Sequence, residues 1–158
     1  LIPAVCAAVN IPVLAAGGIA TGRQMLAAMV LGADGVQVGS RFVASPEASS
    51  HEKFKELVVN ANEGDTQLTL KQLTPVRMLK NDFFSQVQDA EQRCASTEEL
   101  QKLLGRGRAK KGMFEGDLAE GELEIGQVSA IINKIKPAAE IVNEMWNEFE
   151  EALKLPLK

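Results

Sequence analysis

The feature of the sequence that most constrains its fold is a strand–helix–strand pattern in which both strands end in glycine. Residues 11–16 form a short apolar run without alternating polar residues, which is typical of a strand buried on both faces of a parallel sheet. Thr21 is a helix N-cap, and apolar residues then recur at helical spacing until Gly32. A second apolar run, 35–38, begins three residues later. The pattern predicts a right-handed parallel crossover in an α/β fold.

Glycines stand at the carboxyl ends of both predicted strands, where parallel α/β folds bind ligands. Gly17 and Gly18 follow the first strand, and Gly39 and Ser40 follow the second. Glycine lets backbone N–H groups approach an anion closely, and the N-terminus of the next helix adds its positive dipole end. One glycine pair alone would favour a tight turn without a ligand. Two such loops on adjacent strands predict a phosphate site, as after the last two strands of a (β/α)₈ barrel.

Two polar residues beside these loops are open to more than one interpretation. Gln37 lies inside an apolar strand, where it could hydrogen-bond a ligand or only satisfy a neighbouring strand or side chain. Arg41 could supply charge to a phosphate, or its side chain could turn outward to a carboxylate. The glycines at 17, 18 and 22 do not have the G-x-G-x-x-G spacing of a dinucleotide site.

Composition and charge exclude several classes of protein. The 158 residues carry 17 basic and 21 acidic side chains, a formal net charge of −4, which argues against a nucleic-acid partner. The longest apolar stretch, 11–19, is too short to span a bilayer, so no membrane segment is expected. Cys6 and Cys94 have no metal-binding spacing, so the sequence predicts neither a disulfide framework nor a metal site. This cysteine usage indicates a reducing, cytoplasmic compartment.

Beyond the second glycine loop the sequence predicts mostly helices. The predicted elements are a helix over 45–60 with a serine–proline–glutamate start, a short strand over 66–69, a stretch of uncertain type over 73–81, a helix after a capping box of Ser96 with Glu99, and a helix over 125–135. Residues 105–121 are predicted to be a surface connection. Its basic cluster is interpreted as solvated loop because no aromatic stacking partners accompany Arg106, Arg108, Lys110 and Lys111.

The last predicted helix is opened by Pro137 and carries a continuous apolar stripe. Such a stripe is most often part of a core, so Trp146 is predicted to be a packing anchor rather than a cofactor contact. The stripe ends at Leu153 and could serve a homodimer interface as well as a core.

Two blocks of sequence resemble one enzyme family. Residues 11–42, IPVLAAGGIATGRQMLAAMVLGADGVQVGSRF, look like the last two strand–helix units of the nitronate monooxygenases, FMN-dependent TIM barrels formerly called 2-nitropropane dioxygenases. The tail resembles the enoyl-acyl-carrier-protein reductase II branch of that family in PVRMLKN at 75–81, KGMFEGD at 111–117 and GQV at 126–128. The resemblance covers essentially the whole chain. It implies an α/β fold, the C-terminal portion of a (β/α)₈ barrel plus a smaller mostly helical segment.

The expected organisation follows from this resemblance together with the predicted elements. Residues 1–62 are expected to supply the last two strand–helix units, 63–122 a smaller loop-rich and helical segment that caps the flavin face, and 123–158 helices that pack back on the barrel. A TIM barrel takes about 250 residues and eight strands. The chain, which opens on Leu1 rather than Met, is therefore expected to be a fragment whose N-terminal half lies elsewhere.

The resemblance also implies which residues bind the cofactor. Gly17 and Gly18 match the family's glycine pair, which contacts the FMN phosphate through backbone amides. The segment that closes on the same phosphate is matched by Gln37, Val38, Gly39 and Ser40. The family's catalytic histidine lies upstream of the strand that ends at Ala16, so no residue here matches it. His51 is expected to be a solvent-facing helix residue without a catalytic role.

The implied function is that of an FMN-dependent oxidoreductase. By resemblance, NAD(P)H would supply a hydride through the flavin to an enoyl thioester on acyl-carrier protein, a step of fatty acid synthesis. The alternative within the family is oxidation of alkyl nitronates by flavin and O₂. A more remote alternative is a phosphate-sugar enzyme that uses the same glycine loops for its substrate. A non-enzymatic alternative is that the isolated chain is only a structural piece.

Overall fold

The computed structural model describes residues 1–155 as seven helices and four short strands, with one π-helical and one 3₁₀ turn. In chain order these are α1 (Ile2–Ala8), β1 (Leu14–Ala16), α2 (Gly22–Val30), β2 (Gly35–Gln37), α3 (Ser40–Val43), α4 (Glu52–Val59), β3 (Thr66–Thr69), β4 (Val76–Leu79), α5 (Asp82–Gln92), α6 (Thr97–Leu104), the π-helical turn (Lys110–Phe114), the 3₁₀ turn (Gln127–Ile131) and α7 (Ala138–Lys154).

The predicted parallel crossover is confirmed. Strands β1 and β2 pair in parallel, with Leu14 opposite Gly35, and α2 connects them. The start of α2 follows from a capping box: the Thr21 hydroxyl accepts from the N–H of Gln24, and the Gln24 side chain accepts from the N–H of Thr21. Because both strands run the same way, the two glycine loops lie at the same edge of the sheet.

The predicted burial of the first strand on both faces is wrong. Ala15 is buried, but Leu14 is 62% exposed and Ala16 is also exposed. One face packs into a small cluster that includes Ala28 of α2 and Ile141 of α7. Within residues 1–155, β2 is the only strand that pairs with β1. The strand itself is also shorter than the apolar run that predicts it.

The helix after the second glycine loop begins later than the sequence predicts. The Ser45 hydroxyl donates to the carbonyl of Phe42 and closes a turn after α3, and the Glu47 carboxylate accepts from the N–H of Ala138 at the start of α7. Helix α4 begins at Glu52, with His51 as its N-cap residue. The two side chains that predict a helix start therefore form other contacts: Ser45 stabilises a turn, and Glu47 caps the N-terminus of α7.

A hairpin and two helices form a second core. Strands β3 and β4 pair antiparallel, with Thr66 opposite Leu79, so the stretch of uncertain type over 73–81 contains a strand. The predicted capping box of Ser96 with Glu99 is confirmed at the start of α6. Helix α5, which the sequence interpretation leaves out, begins at its N-cap Asn81. The fully buried side chains of this core are those of Leu70, Met78, Phe83, Val87 and Leu100.

The predicted helix over 125–135 is wrong. Residues 122–125 are extended along the edge of β4: the Leu79 N–H donates to the carbonyl of Leu123 at 2.9 Å, and the Ile125 N–H donates to the carbonyl of Arg77 at 3.1 Å. Only the 3₁₀ turn Gln127–Ile131 follows. Three of the apolar residues that suggested a helix, Ile125, Val128 and Ile132, are buried in one cluster with residues of α4 and β4, although they do not share a regular helix.

The basic connection between residues 105 and 121 is more ordered than a surface loop. It contains the π-helical turn, and three of its four basic residues form ion pairs of 2.9 to 3.1 Å with nearby carboxylates: Arg108 with Glu120, Lys110 with Glu115 and Lys111 with Asp117. The Arg108 guanidinium also stacks over the Phe83 ring at 4.5 Å. Nearby carboxylates therefore neutralise most of the positive charge of this connection.

Helix α7 packs along α2 and touches α3. Ile141, Met145 and Phe149 are buried, whereas Trp146 is 51% exposed and its indole N–H donates to Glu150. The prediction that Trp146 is a packing anchor is therefore wrong for the described part of the chain. The last three residues of the predicted segment 123–158 lie outside the described residues. None of the described helices combines the length and the apolar character that a bilayer span requires.

Candidate functional site

The first glycine loop has a backbone shape that side chains rarely adopt. Gly17 and Gly18, directly after β1, have φ angles of +96° and +70°. Both are exposed, and no atom lies within 4 Å of the point where a Cβ would stand on either residue. The positive φ requires glycine, and the open space beside it leaves the backbone accessible to a ligand.

The second loop lies next to the first because β1 and β2 are adjacent. Gly39 has open space where a Cβ would stand, and Ser40 is the first residue of the short helix α3. The Ser40 Oγ accepts a hydrogen bond of 3.1 Å from the N–H of Gly126. Its own O–H therefore stays free to donate to an anion.

The two glycine loops present unpaired backbone N–H groups that a ligand could bind. Within residues 1–155, no hydrogen bond involves the N–H groups of Gly18, Gly39 or Ser40. The donors at the start of α2 are occupied, since Ala20 and Thr21 donate to the Gln24 side chain and Gly22 donates to Glu148. A phosphate that approaches this edge finds its donors in the loops, ahead of the helix. The arrangement fits a phosphate group, which backbone N–H donors bind at close approach.

Helix α7 ties the two loops together. Glu148 accepts from the Gly22 N–H at 2.8 Å, and Glu144, one helical turn earlier, pairs with Arg41 at 3.3 Å. Arg41 follows Ser40 directly, so its side chain turns outward to a carboxylate, one of the two readings that its sequence allows. A hydrogen bond from Lys136, reinforced by Arg41, lowers the pKa of Glu144.

Two cavities adjoin the loops, and Arg77 lines both. One, of about 420 Å³, is bounded by Gly18, Gln24 and Thr66; the other, of about 440 Å³, by Gly39 and Ser40. One acidic residue lines each cavity, Glu63 in the first and Glu124 in the second. The glycine loops therefore open onto spaces large enough for a phosphate-bearing ligand, and the positively charged side chain of Arg77 lines both spaces.

The remaining predicted site residues have different surroundings. Gln37 is exposed, and its side chain makes no hydrogen bond within residues 1–155; Val38 is half-buried and packs on the cluster behind β1. His51 is not a solvent-facing residue inside a helix. It is the N-cap of α4, where its Nδ1 accepts from the Lys53 N–H, and its half-buried ring lies against Gly116. His51 therefore has a structural role: it caps α4 and packs against the backbone at Gly116.

A sequence model of one family, nitronate monooxygenase, matches residues 1–148. The chain belongs to the nitronate monooxygenase family. A Staphylococcus saprophyticus protein named "Probable nitronate monooxygenase" is 32% identical over an alignment 154 residues long, which covers 90% of this chain and 43% of that protein. A Staphylococcus aureus protein of the same name is 45% identical over 69 residues, 44% of this chain and 19% of that protein.

Two solved structures have a fold similar to that of this chain. FabK from Thermotoga maritima matches with a TM-score of 0.90 and 40% identity, covering 98% of this chain and 49% of that one. Nitroalkane oxidase from Streptomyces ansochromogenes matches with a TM-score of 0.77 and 29% identity, covering 97% and 43%. The chain thus spans less than half the length of these relatives. The likeness confirms the predicted α/β fold, a portion of a TIM barrel with a smaller segment attached.

The sequence interpretation missed two residues of this site, Arg77 and Glu148. Arg77 lies in a stretch whose type was uncertain, so its neighbours could not be inferred. Glu148 reads as a solvent-facing residue of an amphipathic helix, and the contact that matters joins it to Gly22, 126 positions away. Only the PVRMLKN segment at 75–81 carried a signal, because it resembles the family tail.

Proposed function

We propose that the protein is an FMN-dependent oxidoreductase that uses NAD(P)H to reduce enoyl thioesters carried on acyl-carrier protein. The supporting observation is the likeness to FabK, an enoyl-acyl-carrier-protein reductase II, at a TM-score of 0.90 over 98% of this chain. The likeness to nitroalkane oxidase is lower in both TM-score and identity. Family membership supports flavin dependence in general.

In this proposal the described residues hold and orient the cofactor. The free N–H groups of Gly18, Gly39 and Ser40, with the Ser40 hydroxyl, bind the flavin phosphate. Gly17 keeps the loop in its left-handed turn, and Gln37 and Val38 close the second loop on the same phosphate. When bound, the flavin supplies the hydride-transfer chemistry. The proton donor and the substrate cavity are expected in the part of the relatives that this chain does not span.

Oxidation of alkyl nitronates is the second candidate function. It is favoured by the family model over residues 1–148 and by the 32% identity to the Staphylococcus saprophyticus protein. The two activities differ in their electron donor: the reductase consumes NAD(P)H, whereas nitronate oxidation needs only the nitronate and O₂. The homodimer that the apolar stripe of α7 suggests stays a prediction.

One experiment separates the two activities. The full-length protein is assayed for NADH and NADPH oxidation with crotonyl thioester on acyl-carrier protein, and for O₂ uptake with an alkyl nitronate. Turnover of the thioester with a nicotinamide supports the reductase; turnover of the nitronate alone overturns it. A flavin absorbance spectrum tests the shared premise, because a colourless protein that binds no FMN would contradict both and return the sugar-phosphate alternative.

A further inference from the structure

Arg77 occupies a position between the two glycine loops that no sequence motif assigns. It lies in β4 and lines the cavity at Gly18 as well as the cavity at Gly39 and Ser40. It is the one basic residue that lines either cavity within residues 1–155. The three loop glycines and Ser40 contribute only dipoles and hydrogen bonds to an anion. Arg77 brings a full positive charge to the same place.

The guanidinium of Arg77 is held in position by one of its three nitrogens. Nη1 donates to the carbonyl and to the Oγ1 of Thr66, both at 3.2 Å. The donors on Nε and Nη2 have no hydrogen-bond partner in the described part of the chain. A guanidinium anchored through one nitrogen retains a planar pair of donors that matches two oxygens of a phosphate.

The other five arginines show that this arrangement is unusual in the molecule. Three lie 3.1 to 3.4 Å from a glutamate carboxylate and two are exposed: Arg41, Arg93 and Arg108 in the first group, Arg23 and Arg106 in the second. Arg77 alone among the six is partly buried and forms no ion pair within residues 1–155. Partial burial of a cation is unfavourable unless an anion compensates it, so this position favours an anionic ligand.

We propose that Arg77 binds a phosphate group of the ligand that the two glycine loops accommodate, with Thr66 as its positioning residue. The inference rests on the proposed function, in which that ligand is a phosphate ester. Two sources carry this chemistry: the 5′-phosphate of FMN, and the phosphates of a co-substrate such as a pantetheine thioester or a nicotinamide dinucleotide. The bidentate donor pair of Arg77 serves a phosphate ester from either source.

The first test compares flavins with and without the phosphate. In the full-length protein, Arg77→Gln is expected to weaken FMN binding about 10- to 100-fold, the usual value of a charge-assisted contact, and to leave riboflavin binding unchanged. Dissociation constants are measured by flavin fluorescence on the apoprotein. The matched control is Arg23→Gln, at an exposed arginine on α2 that forms no ion pair within residues 1–155, and it should change neither constant. Equal weakening of both flavins would show structural damage and would overturn the proposal.

The second test addresses the co-substrate. If FMN affinity is unchanged in Arg77→Gln, the proposal requires a higher KM for the phosphorylated co-substrate and an unchanged KM for an analogue without the phosphate. No change in either test overturns it. Thr66→Val, which removes the Oγ1 acceptor, should show a smaller effect of the same kind, and Thr66→Ser should restore binding. Wild-type protein that binds no FMN would refute the proposed function separately, before any variant is made.

Discussion

The glycine-loop unit, residues 14–43, and the hairpin unit, residues 66–125, differ in the size of the side chains that they bury and in how completely their backbone donors are paired. The hairpin unit buries large side chains such as Phe83, Met78 and Leu100 and caps its helices with its own side chains. The glycine-loop unit buries mainly small residues such as Ala15, and among residues 1–155 it retains unpaired backbone donors. We therefore expect the hairpin unit to contribute most of the stability and the glycine-loop unit to bind the ligand.

The largest expected effect tests whether the hairpin unit carries the stability. Phe83→Ala removes a ring with no solvent exposure and should lower the free energy of unfolding by about 3 to 5 kcal/mol. Urea unfolding of the full-length protein measures the loss. The FMN affinity of the molecules that stay folded should not change. Phe114→Ala, at a ring that is 46% exposed, is the control and should cost less than about 1 kcal/mol.

A buried carboxyl at the edge of the hairpin unit should make that unit sensitive to pH. Burial, with repulsion from Glu124, raises the pKa of Glu122 to about 7 against the opposing charge of Arg108. The folded protein therefore holds this proton at a pH where the unfolded chain, with a pKa near 4.5, has lost it. The contribution of Glu122 to stability is fully present below the unfolded pKa and is lost as pH rises to about 7.

The corresponding variant is Glu122→Gln, which mimics the protonated acid at every pH. It should be more stable than wild type by about 2 kcal/mol at pH 8 and should show a flatter profile of unfolding free energy between pH 5 and pH 8. Unfolding curves at several pH values measure this difference. Glu56→Gln, at an exposed position of α4, should follow the wild-type profile. Identical slopes for all three proteins would contradict the assignment.

Substitutions in the glycine-loop unit should lower the affinity for FMN, whereas those in the hairpin core should lower stability. Gly18→Ala places a side chain at a φ of +70° and should cost about 1 to 2 kcal/mol of stability in addition to FMN affinity. Gly39→Ala, at a φ of −108° with open space around it, should leave stability unchanged and weaken only FMN binding. Flavin titration beside thermal unfolding separates the two. Unchanged FMN affinity in both variants would remove the loops from the site.

The smallest effect concerns the link between α7 and the first loop. Glu148→Ala removes the acceptor for the Gly22 N–H and should lower stability by about 1 kcal/mol, with a few-fold loss of FMN affinity. Glu151→Ala, exposed on the same helix, should change neither. If the two variants behave alike, α7 does not position the glycine loop through this contact.

Local signals were sufficient where an element depends on residues three or four positions apart. The N-cap at Thr21, the capping box of Ser96, the glycine turn after β1 and the start of α7 after Pro137 all follow from side chains and backbone within one turn. The helix predicted from Ser45 failed because its signals serve contacts elsewhere: Glu47 caps α7, 91 positions away. The helix over 125–135 failed because its first residue, Ile125, bonds to the edge of β4 and the next residues form only the 3₁₀ turn Gln127–Ile131.

The sequence by itself determined the parallel crossover, the two glycine loops and the resemblance to a flavin-binding family, since these depend on backbone freedom and on short apolar runs. The tertiary structure decided which donors of the loops stay free, that α7 supplies Glu148 to Gly22, and that Arg77 lies between two cavities. The reason is physical. Turns and caps are settled by neighbours in sequence, whereas charge pairing and burial depend on surfaces that meet only when distant segments pack.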